Sequence, residues 1–358
     1  MNVPSPKRTA APVHRDPPQP ATAIPELISR RPRPLPDFLE RNASLWTLGV
    51  LVLIIVGFAA TTDNFLTKQG WQAISVSGTE ILLLAVGETF VIVSGGIDLS
   101  IGAVLGFSGM VSAVVMRSLL GTGSGAGLVM VTGLVVSLAV GALFGLVNGL
   151  VITRFKVTPF IVTLGALGVA EGATLLLNGG QDISDLPPRL SEIGNLLLAD
   201  GWLAVPVAVA VAVTVVAWVF LAKTRYGRRA HAIGSNAQAA VRTGIDVRAQ
   251  LVRTYVLSGL VAGLAGYLAM AQLGVATITA GQSDELSAIA AVVIGGASLS
   301  GGRGSIAGTA IGAAIIAVLE TGLVIAKANS AWQLIAVGTI LVGAVLADQQ
   351  RVRAARSA

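Results

Sequence analysis

Residues 71–116 read WQAISVSGTEILLLAVGETFVIVSGGIDLSIGAVLGFSGMVSAVVM, and the reading of this stretch decides the fold class. The run from Trp71 to Val93 is too long and too apolar for a strand, whereas a helix of about 20 residues crosses the hydrocarbon of a bilayer. At Ser94-Gly95-Gly96 the helical pattern breaks, and apolar residues resume around Asp98. Three carboxylates, Glu80, Glu88 and Asp98, lie inside the stretch. Ionisable groups at membrane depth are costly, so they face a cavity or a partner.

Working outward, apolar segments recur near 44–62, 71–93, 98–116, 127–152, 158–177, 202–222, 251–273, 285–299, 304–326 and 331–347. The expectation is an all-α integral membrane protein with about ten transmembrane helices, the third, fifth and eighth short or broken. Composition agrees. Of 358 residues, 54% are hydrophobic and 12% charged, and soluble domains carry roughly twice that charged share. The 43 glycines suit helices that approach closely in lipid. A soluble α/β core is excluded by the length of the runs.

Charge placement orients the chain, because cytoplasmic loops are rich in Lys and Arg. Arg154 and Lys156 follow the fourth segment, and Lys223, Arg225, Arg228, Arg229, Arg242, Arg248 and Arg253 follow the sixth. Arg303 follows the eighth, and residues 349–358 form a basic tail with Arg351, Arg353 and Arg356. The loop at 178–201 is acidic instead, with Asp182, Asp185, Glu192 and Asp200 against Arg189. Both termini are therefore expected in the cytoplasm. Lys68, Arg117 and Lys327 fall near outer helix ends, where long side chains snorkel. A net charge of +6 placed this way fits topology and calls for no nucleic acid.

Ten of the fourteen prolines fall between Pro4 and Pro36. Residues 1–43 are expected to be a disordered, Pro/Arg-rich cytoplasmic tail, not a signal peptide. A transmembrane domain would then occupy 44–348, with a polar loop at about 223–250.

One internal echo stands out. Gly95-Gly96-Ile97-Asp98-Leu99-Ser100 returns as Gly295-Gly296-Ala297-Ser298-Leu299-Ser300. Paired Gly-interrupted segments point to broken helices along a transport pathway, although a glycine-rich chain also yields such matches by chance. Glu80, Glu88, Asp98, Asn148, Glu171, Glu285 and Glu320 are the polar candidates inside apolar segments. Asp98 has two readings, a cap on the following half-helix or a solute contact. In the basic loop, Asn236 is placed to cap a short helix ending at Arg242, with Gly244 as its stop. That loop is either a solvated positive-inside segment or a docking helix for a cytoplasmic subunit.

Absences narrow the function. With no cysteine and only His14 and His231, disulfides, thiolate sites and histidine-base catalysis have no residues to use. None of the five lysines sits in a phosphate-binding loop, and no metalloprotease or nucleophile-elbow motif occurs. ATP, if used, is bound elsewhere. An ion-coupled transporter using Glu88 and Asp98 is the rival mechanism.

Four stretches resemble the membrane-spanning subunits of bacterial ABC importers for simple sugars, the ribose, xylose and arabinose group. They are Val91–Gly102, Asn148-Gly149 with Thr158–Gly165, Thr224–Arg228 running through Ala232–Asn236 to Gly244-Ile245, and Ala290–Gly304. The resemblance covers most of 45–348. It implies a pathway along Glu88, Gly95, Gly96, Asp98, Ser100, Asn148, Gly295, Gly296 and Ser298, with no catalytic or metal site. It implies a coupling loop with Arg228, Gly234, Asn236, Gln238, Ala239, Ala240 and Gly244. Gln238 replaces the glutamate common in importers, and Arg303 replaces the usual lysine. The implied partners are a second permease copy, a cytoplasmic ATPase holding ATP and Mg, a periplasmic sugar-binding protein and membrane lipid. The implied location is the bacterial inner membrane, and the chain itself would hold no cofactor. Related permeases also carry nucleosides, furanosyl signals or branched-chain amino acids, so the solute stays open.

Overall fold

The computed structural model describes residues 43–357. The tail expected to be disordered falls outside them up to position 42, and Ala43 already opens the first helix. The chain is helical through most of its length: α1 (Ala43–Thr61), α2 (Lys68–Val93), α3 (Ile101–Gly121), α4 (Ala126–Phe155), α5 (Pro159–Leu177), α6 (Pro188–Gly194), α7 (Val205–Lys223), α8 (Arg225–Ser235), α9 (Ala237–Arg242), α10 (Val247–Leu273), α11 (Asp284–Ile294), α12 (Ile306–Ile325) and α13 (Ser330–Ser357). Between α6 and α7, the strands β1 (Leu197–Leu198) and β2 (Leu203–Ala204) pair antiparallel around a single 3-10 turn.

Among the described residues, eight helices are long and apolar enough to cross a membrane: α2, α3, α4, α5, α7, α10, α12 and the Ser330–Gln350 part of α13. Thr47–Thr61 in α1 is a shorter apolar run. One expectation needs correction. The third and fifth segments are full helices of 21 and 19 residues, because the third continues beyond Met116 through Gly121. Of those three, only the eighth is short. At about 1.5 Å per residue, the 11 residues of α11 reach roughly half of a ~30 Å hydrocarbon layer.

Backbone proximity in the middle of the bundle comes from small residues. Gly133, Ser137, Gly141, Gly145 and Gly149 recur every fourth residue and so share one face of α4. That face meets α10 so closely that a Cβ on Gly141 or Gly145 would run into the Gly259 or Tyr255 carbonyl. Ser137 Oγ donates to Gly263 O at 2.7 Å, a polar link suited to lipid. This seam holds Gly149 of α4 against Val252 and Tyr255 of α10. Around it, α2, α3, α10, α11 and α12 bury the main apolar core, including Leu83, Leu84, Leu105, Ala265 and Ile316. The outward faces of α4, α5 and α7 remain apolar and exposed, as lipid-facing surfaces are.

The acidic loop after α5 is built rather than loose. Ile183 bridges to Ala276, and Asp182 Oδ1 accepts from the Ile278 N–H at 2.8 Å. Two of the cations expected near outer helix ends are tied to this end: Arg117 Nη2 donates to Asn178 Oδ1 at 3.1 Å, and Lys68 Nζ donates to the Asp200 carbonyl.

Candidate functional site

At the end of α2 the chain turns back into the bundle. The Gly95 N–H donates to Ile92 O at 2.9 Å and the Gly96 N–H to Val91 O at 3.0 Å, with Gly95 at φ +86°. The return carries Asp98 back along α2, so that its N–H donates to Glu88 Oε1, ten residues earlier, at 3.1 Å. Asp98 Oδ1 accepts from both the Ser100 hydroxyl (2.6 Å) and the Ser100 N–H (3.0 Å), which fixes the entrance to α3. Asn148 Nδ2 completes the chain of bonds by donating to Ser100 Oγ at 3.0 Å. Glu88, Asp98, Ser100 and Asn148 thus form one buried network. Asp98 closes the turn just before α3 and accepts from none of that helix's own N–H groups.

Sequence reading missed three members of this neighbourhood. Thr163 of α5 donates to Ile97 O at 3.2 Å. Tyr255 and Ser258 of α10 are buried, Ser258 beside Asp98, and among the described residues the Tyr255 hydroxyl and Glu88 Oε2 have no hydrogen-bond partner. Gly96 backs onto the Tyr255 ring, where a Cβ would lie 3.4 Å from Cζ and closer still to the hydroxyl. For Ser258 a signal existed: Gln250, Thr254 and Ser258 recur every fourth residue and are all buried, a polar stripe running into the apolar part of the helix.

The second copy of the echo makes a similar turn one letter later, since Gly296 and not Gly295 carries the positive φ that Gly95 carries in the first. Gly295 ends α11, Gly296 has φ +91°, and Ser298 Oγ bonds Ser300 Oγ (2.9 Å) and donates to Asp348 Oδ2 on α13 (3.0 Å). Ser298 does not join the Asp98 network. Gly295 packs against the backbone of Gly308 in α12.

Both breaks meet at a third glycine. The Gly302 N–H donates to Val93 O at 2.9 Å. A Cβ on Gly301 would lie 2.9 Å from Gly95 Cα and 3.0 Å from Gly234 Cα. Gly234, in the last turn of α8, leaves no room for a Cβ between Val93 O and Gly302 N. The sequence-predicted coupling loop is therefore two helices, α8 and α9, and α8 lies against both breaks. His231 of α8 adds a clasp. Its Nδ1 lies 2.8 Å from Gly227 O and its Nε2 lies 3.2 Å from Gly304 O. Both partners are carbonyl acceptors, so only the doubly protonated ring makes both bonds at once.

An aromatic set anchors α8. Tyr226 stacks on Phe220 of α7 at 4.6 Å and meets Phe90 of α2 edge-on at 5.9 Å. Its hydroxyl bonds Thr254 at 2.8 Å, and burial pushes the phenol up to about 12. Beyond it, Asn236 Oδ1 caps α9 by accepting from the Ala239 N–H at 2.9 Å, and Gly244 turns the chain at φ +82°. Gln238 and Ala239 are exposed, Ala240 is buried, and Arg228 points to the surface. Among the described residues, no group of three or more His, Cys, Asp and Glu side chains is arranged to hold a metal ion.

A family model described as the branched-chain amino acid transport system / permease component matches residues 71–345, from the start of α2 to near the end of α13's apolar run. The chain belongs to this family. Among curated relatives of this permease is the ribose import permease protein RbsC of Bacillus subtilis (strain 168), 39% identical over 85% of this chain and 92% of that protein. The D-allose transport system permease protein AlsC of Escherichia coli (strain K12) is 31% identical over 90% and 96%. The fructose import permease protein FrcC of Rhizobium meliloti is 33% identical over 88% of each. No solved structure matches. All four stretches that carried the resemblance fall within the matched span. The permease is a multi-pass membrane protein, and its relatives are named as transport subunits rather than enzymes.

Proposed function

We propose that this permease forms, with a second copy, the translocation pathway of an ATP-driven importer for a simple sugar in the bacterial inner membrane. A periplasmic binding protein delivers the sugar at the acidic-loop end. A cytoplasmic ATPase, which alone holds ATP and Mg, docks on α8 and α9. In this reading all ten apolar segments enter the membrane, α11 reaching only part way, and both termini are cytoplasmic.

The observation that carries the proposal is the backbone contact of Gly234 with both breaks. A push on α8 from a docked ATPase reaches the Asp98 turn through Val93 and Gly95, and the α11–α12 turn through Gly301 and Gly302. Neither route needs an intervening side chain. The capped and exposed α9 supplies the docking surface through Gln238 and Ala239, while Arg228 adds positive charge beside it. The buried Glu88–Asp98–Ser100–Asn148 network then sits on the pathway side of the first break. The ribose, allose and fructose permeases among the relatives support a sugar as solute. The family's description raises a branched-chain amino acid as the second reading.

The test is reconstitution of the tagged chain with whatever ATPase and binding protein its membranes yield, followed by uptake of labelled pentoses, hexoses and leucine. ATP-dependent uptake of a sugar is expected. Uptake of leucine alone would move the solute to the second reading. Uptake driven by an ion gradient with no ATPase bound would overturn the proposal.

A further inference from the structure

We propose that the permease holds an anionic phospholipid in a slot between α7, α8 and the start of α12. The slot is a cavity of about 420 Å³ lined by Trp218, Leu221 and Ala222 of α7, Arg228 and His231 of α8, and Gly304, Ser305 and Ile306 at the entrance to α12. A second cavity of about 210 Å³, lined by Thr214, Val215, Trp218, Ile306 and Ala307, shares Trp218 and Ile306 with it. The two form one groove that is almost wholly apolar toward the middle of α7 and polar at its basic end.

That gradient matches one kind of occupant. Acyl chains fill the part walled by Val215, Trp218 and Ala307, on a face of α7 where Val211, Val215, Val216 and Val219 are all exposed. A phosphate then falls at the basic end. No acidic side chain lines either cavity. Arg228 is exposed, and among the described residues its side chain makes one long bond, Nη1 to Lys223 O at 3.5 Å. The guanidinium therefore keeps donors for a phosphate, which it recognises in two-pronged fashion. The His231 ring is held by backbone carbonyls on both sides, so it contributes wall rather than a free donor. The first turn of the 20-residue α12 adds the positive end of its dipole at the same point. Trp218, 43% exposed at the polar-apolar boundary, takes the position tryptophans favour at the head-group level. Basic pockets between membrane helices on the cytoplasmic side take anionic head groups on these terms.

The site abuts the α8 clasp but does not depend on an ATPase binding there. The full chain is purified, stripped of lipid in detergent, and mixed with dioleoyl-phosphatidylglycerol or dioleoyl-phosphatidylcholine while bound lipid is counted by native mass spectrometry. Wild type is expected to favour the anionic lipid about fivefold, the factor that one basic side chain contributes at an anionic surface. R228Q removes the preference. A222W, which fills the slot from an exposed α7 position without touching charge, lowers retention of both lipids. R225Q, an equally exposed arginine of α8 outside the slot, leaves the preference intact. R228Q changes only a surface side chain, so it carries the test even where A222W fails to accumulate. Three results would overturn the proposal: equal retention of the two lipids by wild type, an R225Q effect as large as that of R228Q, or displacement of the bound lipid by inorganic phosphate at the same concentration.

Discussion

The breaks at 95–100 and 295–300 have nearly the same letters and perform different jobs. Each reverses the chain at a glycine of positive φ, and each touches Gly234 of α8 or its immediate surroundings. The first, with Asp98, organises a buried network reaching α2, α4 and the entrance of α3. The second turns one letter later, so that Ser298 falls where Ile97 does, and its hydroxyl bonds sideways to Asp348 of α13. A similar glycine turn thus serves two chemistries. The contact surface at Gly234 is common to both, while the polar interior belongs to the first alone.

The strongest way to break the comparison is to remove what the two share. Gly234→Val would drive a branched side chain into Val93 O and Gly302 N. Both are backbone atoms and cannot swing away. The expected cost is at least about 3 kcal/mol, with uptake falling roughly 100-fold. Uptake by reconstituted vesicles and the unfolding midpoint in detergent measure both effects. A variant that transports normally would remove Gly234 from the coupling route.

Separating the two breaks comes next. Asp98→Ala strips the acceptor from a buried hydroxyl and a buried N–H, at a cost of about 2–3 kcal/mol. Asp98→Asn keeps an acceptor oxygen and should lose about half as much. Ser298→Ala removes partly buried bonds whose partners have other options, and about 1 kcal/mol is expected. Denaturant titration of the three variants gives the order. Equal costs for Asp98→Ala and Ser298→Ala would mean that the two breaks are energetically alike, against the reading given above.

His231 tests the link between α8 and the second break by itself. His231→Ala deletes the bond to Gly304 O without adding volume, so about 1 kcal/mol of stability is at stake. The functional effect is expected to exceed the structural one: ATP hydrolysis persists while solute moved per ATP falls. A parallel loss of both activities would make His231 a packing residue only.

Much of this was legible in the amino-acid letters, for definable reasons. Apolar length alone located the helices, because lipid leaves the backbone no other way to satisfy its hydrogen bonds. Asp98 and Ser100 stood out because they lie two residues apart in a local break, and local geometry follows from local sequence. Asn148 was visible as an amide in an apolar run. Tyr255 and Ser258 were not, since tyrosine and serine are ordinary in membrane helices and their partners come from distant segments. The helix α8 was hidden by composition: its basic residues read as a solvated loop, yet Gly227, Ala230 and Ile233 recur every third residue and are the buried ones. The meeting of the two breaks at Gly234 is a tertiary event that no local pattern announces.

The finest distinction concerns Gly95 and Gly296. Their φ values, +86° and +91°, are nearly equal, so an alanine carries the same backbone cost at each, about 1–2 kcal/mol. Their surroundings barely differ either. A Cβ on Gly95 would sit at ordinary contact distance, 3.6 Å from Gly234 Cα, and one on Gly296 would meet nothing within 4 Å. Gly95→Ala and Gly296→Ala should therefore lower the unfolding midpoint by the same small amount. Transport separates them if α8 moves during the cycle. A Gly95 methyl stands in the path of any closer approach by Gly234, while a Gly296 methyl obstructs nothing. Equal stability with a selective transport loss at Gly95 would locate the moving contact between α8 and the first break. Equal losses at both would assign the effect to backbone strain and leave that contact static.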